Sequence, residues 1–535
     1  MSATDPAGAI PASGPASRPA SGPAAGSIPG IAVVRHPTVL KALVMLATLM
    51  QVLDMTIANV ALPHMQASLG ANQDTVSWVL TSYIVASAIA MPITGWLSDR
   101  IGRRKLYLWS VGGFVMASVL CGVASNIEEI VLFRILQGVS GAFLTPLAQT
   151  VLLDITPPEK RGQAMALFGM GVVIGPVLGP ILGGWLTESM NWRWVFFVNV
   201  PLGIAAFAGL WALLPDVRKP ARALDRAGFF LLAAGLAGFQ LMLDRGQHED
   251  WFNSAEIWIE MMVAVSALWM FGVHVATTKN PLYPKELLGN RNLVIGTVLM
   301  GALGMILTAS MALMPLMLEN LFGYPVLTTG FLLSTRGIGV MLMMAVAGRL
   351  VSKVDGRTLI AAGFVIIAVS FWEMTYWNMD VSWGTMALNG FLQGMGMGLL
   401  FVPITTMAFA TLPGDLRTDG SSILNLSRSL GSSASISIVV ALLARNTATS
   451  HADLAGHLTP AQLGLDPHNF AYAASVAESG LAMLNAEVTR QATMIAFLDD
   501  FYLMMLITIC ALPLSLLVKR SSAKHAPDEE TVVID

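Results

Sequence analysis

The feature that most constrains this chain is the recurrence of apolar blocks about 20 residues long, the length that crosses a bilayer as a helix. Short polar gaps separate them. From Ala42 to Leu62 the only charged residue is Asp54. Of 535 residues, 55% are hydrophobic and 12% charged, too little polar material to cover the apolar remainder in water. In lipid, by contrast, a helix satisfies its own backbone and needs no polar coat. The chain therefore reads as an all-α polytopic membrane protein.

Fourteen spans are expected, near 39–62, 76–97, 105–124, 128–153, 163–187, 195–214, 226–244, 256–278, 292–319, 327–351, 358–377, 384–410, 419–444 and 497–518. Lys and Arg test the count, because cytoplasmic loops collect them. One side gathers Arg100, Arg103, Arg104, Lys105, Lys160, Arg161, Arg218, Arg222, Lys353, Arg357 and Arg417, among others. The other side receives Arg193, Arg245, Arg445 and Arg490. A miscount by one span would scramble this asymmetry, so both termini are expected in the cytoplasm. Arg134, Arg336 and Arg428 fall inside spans.

The second half echoes the first. GWLSDRIGRRKL (95–106) returns as GRLVSKVDGRTL (348–359), and Gln137–Gly138 returns as Gln393–Gly394, an offset of 256. The same offset pairs Pro157 with Pro413 and Arg161 with Arg417. The division expected is a disordered tail over 1–38, rich in Ala, Pro, Gly and Ser, and a six-helix bundle over 39–214. A linker with two inserted spans over 215–291, a second six-helix bundle over 292–518 and a tail over 519–535 follow. The second bundle would carry a long external loop, 445–496, with helical potential over 475–496. Duplicated bundles are a transporter architecture, with the substrate bound between them near the midplane.

Several residues stand out on physical grounds. A charge at the centre of a span costs about 2.5–3.5 kcal/mol on insertion scales, so Asp54 is either a proton carrier or the fixed partner of an arginine. Gln51 and Ala58 share its face. Arg134, Gln137, Gly138, Gly141 and Thr145 also share one face, on which small residues admit a neighbouring helix and the arginine can reach an acid or the substrate cavity. Gly171, Gly175, Gly179 and Gly183 form a stripe for close helix packing beside the bends expected at Pro176 and Pro180. Glu373 is a further acid in an apolar block, either a second proton site or a contact for cationic compounds. Methionines such as Met311 and Met314 suit an adaptable cavity or mere filler, and Gln51, Asn59 and Gln137 are further cavity candidates. The chain has no phosphate-binding G-x-x-x-x-G-K-[ST] loop and no H-E-x-x-H motif. That argues against an ATP-driven pump or an enzyme, and no metal motif is present. The net charge of -3 argues against nucleic acid, and Cys121 and Cys510, both in apolar blocks, imply no disulfide framework.

These stretches resemble the major facilitator superfamily. GWLSDRIGRRK, with Gly95, Asp99, Arg100, Gly102 and Arg103, is similar to its signature loop between spans 2 and 3. Arg134 with Gln137 and Gly138 resembles its span-4 motif, and GVVIGPVLGPILGG (171–184) resembles the span-5 antiporter motif. LDMTIANVALP and WRWVFFVNVPLG (192–203), with the span count, resemble the drug:proton antiporter family of the EmrB/QacA type. LDRGQHEDW (243–251) and the long loop before the last span are closest to the EmrB-like branch.

The resemblance implies a major facilitator fold that exports hydrophobic or amphiphilic drugs across the bacterial inner membrane by alternating access. The proton gradient would be the energy source, with no cofactor. Asp54, Arg134 and Glu373 would couple protons, Asp54 and Glu373 both remaining open as the main site. Asp99 would hold the halves together in the outward-open state. Partners implied are membrane lipid, a periplasmic adaptor of the EmrA/HlyD kind and a TolC-like outer-membrane channel. The alternative is an exporter of one metabolite, such as a siderophore or a self-made antibiotic.

Overall fold

The computed structural model describes residues 36–216, 222–457 and 470–519. It contains 14 helices long and apolar enough to cross a membrane. In order they are α1 (Pro37–Leu69), α2 (Thr75–Ile101), α3 (Arg103–Val123), α4 (Ile127–Asp154), α5 (Pro158–Ser189), α6 (Trp194–Leu213) and α7 (Arg226–Arg245). There follow α8 (Ala255–Thr277), α9 (Arg291–Leu321), α10 (Val326–Leu350), α11 (Gly356–Met374), α12 (Trp383–Ala410), α13 (Gly414–Gly456) and α14 (Ala482–Leu517).

The polar gaps start the helices. Asn72, Asn126, Asp225, Ser254, Asn290, Asp355 and Ser382 each cap a helix N-terminus with a side-chain oxygen that accepts a backbone N–H of the first turn. Such caps satisfy donors that have no intrahelical acceptor. Before α4 the device is reciprocal, because the Ser125 N–H donates to Glu129 Oε2 at 2.8 Å.

The two halves pack by one plan. α1 lies on α5 as α9 lies on α13, and α2 lies on α4 as α10 lies on α12. Glycines set these close approaches. A Cβ at Gly138 would stand 2.5 Å from the Tyr83 carbonyl oxygen, and one at Gly394 would stand 3.0 Å from the Arg336 carbonyl carbon. The α5 stripe faces α1: Gly171 lies against Met45, Gly175 against Val52, Gly179 against Thr56 and Gly183 against Ile57 and Val60.

The inserted helices α7 and α8 pack on each other, and α7 touches α2 and α13. Arg245 joins them through Glu249 at 2.9 Å and through Glu256. At the opposite end Asp225 accepts hydrogen bonds from the N–H groups of Gly228 and Leu282 and pairs with His274 at 2.9 Å. Burial would push the Asp225 carboxyl up, but these bonds and His274 hold it below the usual carboxylate range.

The stretch expected as a long external loop, 445–496, is helical over its described residues. α13 runs on to Gly456, and the helix ending in α14 begins at Phe470. Residues 445–455 contain no Gly or Pro, so nothing stops the helix where the apolar block ends. His451 Nε2 meets Asn485 Oδ1 at 3.0 Å, and Asn446 Nδ2 donates to Asp499 Oδ2 at 3.4 Å, tying the two helices together. The segment 458–469 lies outside the described residues, and with it His468.

The α1–α5 contact predicts a contrast within one helix. At Gly175 a Cβ would stand 2.5 Å from Val52 Cγ1, whereas nothing lies within 4 Å of one at Gly184. Overpacking costs about 1–3 kcal/mol. Gly175→Leu should therefore lower the melting temperature of the purified protein, and Gly184→Leu should leave it unchanged or raise it.

Candidate functional site

The first half encloses a polar cluster in its centre. Arg134 Nη1 donates to Asp54 Oδ2 at 2.6 Å, and both side chains are 0% exposed. The other carboxylate oxygen of Asp54 accepts from Gln137 Nε2 at 2.8 Å and from Asn199 Nδ2 at 2.7 Å. Arg134 Nε donates to the Val79 carbonyl at 2.9 Å, and Nη1 also reaches Gln137 Oε1 at 2.8 Å. The guanidinium lies 4.5 Å from the Tyr83 ring centre and 5.7 Å from that of Phe196. Asn199 Nδ2 also reaches Ser118 Oγ at 3.0 Å, and Thr145 Oγ1 donates to Gln51 Oε1 at 2.7 Å.

The helical repeat explains how α4 builds this site. Arg134 and Gln137 lie three residues apart on one face, so both reach the same carboxylate. Gly138 on that face brings α2 close enough to present the Val79 carbonyl and the Tyr83 ring. The result is a charge pair removed from water and supplied with further hydrogen bonds, except at Arg134 Nη2, which has no acceptor among the described residues.

In the second half Gln393 occupies the place of Gln137, and its Oε1 accepts from Ser310 Oγ at 2.7 Å. Ser310 follows Asp54 by the same 256 residues. The acid of the first half is thus a hydroxyl in the second.

Glu373 stands in the last turn of α11, which ends at Met374, and is half-buried. Its Oε2 accepts from Asn389 Nδ2 at 2.8 Å, and Asn389 Oδ1 accepts from Ser370 Oγ at 2.9 Å. Asn59 is exposed, one turn along α1 from exposed Met55 and away from the Asp54 pair. Met314 is buried and Met311 half-buried on α9. The glycine stripe contributes packing and no polar side chain.

At the basic end of the bundle the signature loop joins the halves. Asp99 pairs with Arg222 Nε at 3.0 Å, and Arg222 Nη2 reaches Asp419 Oδ2 at 2.9 Å. Asp419 belongs to α13 and fills the space beside Gly95, where a side chain would collide with its carboxylate. Arg103 pairs with Asp154, whose other oxygen lies 2.7 Å from Arg417 Nη1 on α13. Gln149 Oε1 accepts from Asn425 Nδ2 at 2.9 Å and from Ser421 Oγ at 2.5 Å. Gly102 makes the turn between α2 and α3 at φ 93°, a conformation that favours glycine. Arg100 instead lies over the Trp96 ring, 5.9 Å from its centre.

Sequence reading did not single out Asn199, Ser118, Asp154, Arg222 or Asp419. Asn199 lies in WRWVFFVNVPLG, where an amide inside an apolar run was the available signal. It also passed over Asp500, which is buried on α14 with neither carboxylate oxygen hydrogen-bonded among the described residues.

The Asp54–Arg134 pair predicts a specific pattern of stability. Arg134→Met leaves a buried carboxylate without its counter-charge, a loss of about 3–5 kcal/mol for pairs of this kind. The double variant Asp54→Asn, Arg134→Met removes both charges and should recover most of the lost thermal stability. Equal instability of the single and double variants would exclude charge imbalance as the cause.

Residues 44–436 match the family described as Major Facilitator Superfamily. The chain is 35% identical over 470 residues to the Multidrug export protein EmrB of Haemophilus influenzae, covering 86% of this chain and 91% of that protein. It is 36% identical over 418 residues to the Multidrug export protein EmrB of Escherichia coli, covering 78% and 82%. To the Fatty acid resistance protein FarB of Neisseria gonorrhoeae it is 36% identical over 485 residues, covering 89% and 94%. Among solved structures, the human organic anion transporter MFSD10 (TETRAN) has a TM-score of 0.56 at 14% identity, covering 88% of this chain and 99% of that one. That last likeness concerns the fold alone.

Proposed function

Since the chain belongs to the Major Facilitator Superfamily, we propose that it is a proton-coupled antiporter that exports hydrophobic and amphiphilic compounds. Its place is the bacterial inner membrane, with the basic end and both termini on the cytoplasmic side. It acts as a transporter rather than an enzyme, and its energy source is the proton gradient, without a cofactor. The relatives named as multidrug export proteins support the substrate class.

The observation that carries the reading is the enclosed pair of Asp54 and Arg134. A proton on Asp54 removes the charge that Arg134 balances. Arg134 then keeps Val79 and Gln137 as hydrogen-bond acceptors but is left an enclosed charge without a counter-ion, which favours a rearrangement that hydrates it. Protonation therefore weakens the bond between α1 and α4 specifically. Gradient energy can drive a conformational change only if the proton binds the two states with different affinity. An acid enclosed with an arginine in one state and hydrated in the other supplies that difference.

In the conformer described, ion pairs close the basic end between the halves, which fits a carrier opening on the other side. Opening the basic end requires Arg222 and Asp154 to release partners on α13. The helical hairpin that extends from α13 and α14 is the proposed docking surface for an EmrA/HlyD-like periplasmic adaptor, which would lead to a TolC-like outer-membrane channel. A narrower reading, a carrier for one class of amphiphile, draws support from the relative named for fatty acid resistance.

Proteoliposomes with an imposed proton gradient test the coupling. Wild-type protein should move a fluorescent hydrophobic dye only when the gradient is present, and Asp54→Asn should lose most of that movement. Undiminished transport by the variant would make Asp54 structural and would direct the same test to Glu373→Gln.

A further inference from the structure

Two arginines buried within the spans, Arg134 and Arg336, differ in their company. Arg134 has an acid at 2.6 Å. Arg336, in the middle of α10, is 4% exposed and pairs with no acid among the described residues. Its Nε and Nη1 are enclosed and find no hydrogen-bond acceptor there. On the facing helix α12, Gln393 uses its carbonyl oxygen on Ser310, and its Nε2 is likewise enclosed without a partner. The two residues belong to helices in direct contact, since Gly394 packs against the Arg336 backbone.

The internal repeat shows what has changed. Gly138 packs on Tyr83 as Gly394 packs on Arg336, so Arg336 holds the place of Tyr83. Tyr83 lies under Arg134 at the polar centre of its half. Ser310 holds the place of Asp54. Relative to the first half, the second has lost its carboxylate and carries its guanidinium on the other helix of the pair, at Arg336 of α10, where Gly390 of α12 takes the place of Arg134. Gly337, the next residue, packs on Val177 of α5, so this region adjoins the seam between the halves.

Arginine stays protonated in proteins, and an enclosed charge without a counter-ion is strongly unfavourable. A ligand that brings a carboxylate offsets that cost, and a planar guanidinium can take both of its oxygens. We propose that Arg336, assisted by Gln393, is the headgroup subsite for a carboxylate-bearing amphiphile, so that the transported compounds include organic anions with an apolar body. The inference rests on the export reading above and names one substrate class for it.

The test uses the full-length protein in phosphatidylcholine nanodiscs, with empty nanodiscs subtracted. The probes are pyrenebutyrate, its neutral methyl ester and the matched trimethylammonium compound. Wild type should bind the carboxylate at least about tenfold more tightly than the ester, the scale of one charge-assisted hydrogen bond. Arg336→Gln should abolish that preference while leaving ester affinity nearly unchanged, and Arg336→Lys should keep part of it. Equal wild-type affinity for acid and ester, or a preference that survives Arg336→Gln, overturns the proposal. So does loss of the preference when phosphatidylglycerol replaces part of the phosphatidylcholine, because the site would then hold a lipid phosphate. Should Arg336→Gln also lose ester binding, Gln393→Leu decides: a reduced preference upholds the subsite and an unchanged one overturns it. Binding is read without a gradient, so failure of dye transport in proteoliposomes would count against the export reading and leave this result standing.

Discussion

The bond between Arg134 and Asp54 is the interaction on which the first half depends. Around it α1 supplies the acid, α2 a carbonyl, α4 the arginine and Gln137, and α6 Asn199, which in turn reaches Ser118 on α3. Lipid gives apolar helices no hydrophobic reason to associate, so close packing and interhelical hydrogen bonds decide their arrangement. The stripes at Gly138 and Gly175 supply the packing, and this network supplies the polar links. One charge pair therefore fixes the relative positions of five helices, and any change in its protonation is felt by all of them.

The repeat keeps the packing and changes the chemistry. Gly138 and Gly394, and likewise Gln137 and Gln393, preserve the contact between paired helices. Asp54 becomes Ser310, Arg134 becomes Gly390 and Tyr83 becomes Arg336. One half thus carries an internally balanced pair, and the other carries Arg336, a cation that pairs with no acid among the described residues. In the export cycle proposed above, a proton and a substrate anion would act on different halves across one seam.

Much of this was legible in the sequence because membrane helices declare themselves by length and apolarity. The span count, the repeat and the face shared by Arg134 and Gln137 all follow from spacing. The choice between Asp54 and the substrate cavity as the partner of Arg134 did not, since spacing along one helix says nothing about which helix faces it. Asn199, Arg222 and Asp419 were hidden for the same reason: each meets residues far away in the chain. Glu373 looked central because the apolar run continues to Trp377, whereas α11 ends at Met374. Within 445–496 the helical potential was read only from 475 on, and the continuation of α13 to Gly456 was not, because hydropathy marks where a membrane span ends, not where a helix does.

The placement of charges also separates what must hold from what must yield. The pairs at the basic end lie nearer water than the core pair, with Arg222 31% and Asp154 19% accessible in their side chains, although Asp419 is only 3% and Arg103 8% accessible. Water can reach the exposed partner of each pair as the halves part. The Asp54–Arg134 pair has no water to replace it and costs several kcal/mol to break by removing one partner. In the cycle proposed above, the basic end would open while each half stays intact, and protonation of Asp54 would be the change that loosens the core pair. Arg222 adds a constraint of its own, because it holds Asp99 from one half and Asp419 from the other. It precedes α7 directly, so release of the basic end must also free the segment that leads into the inserted hairpin.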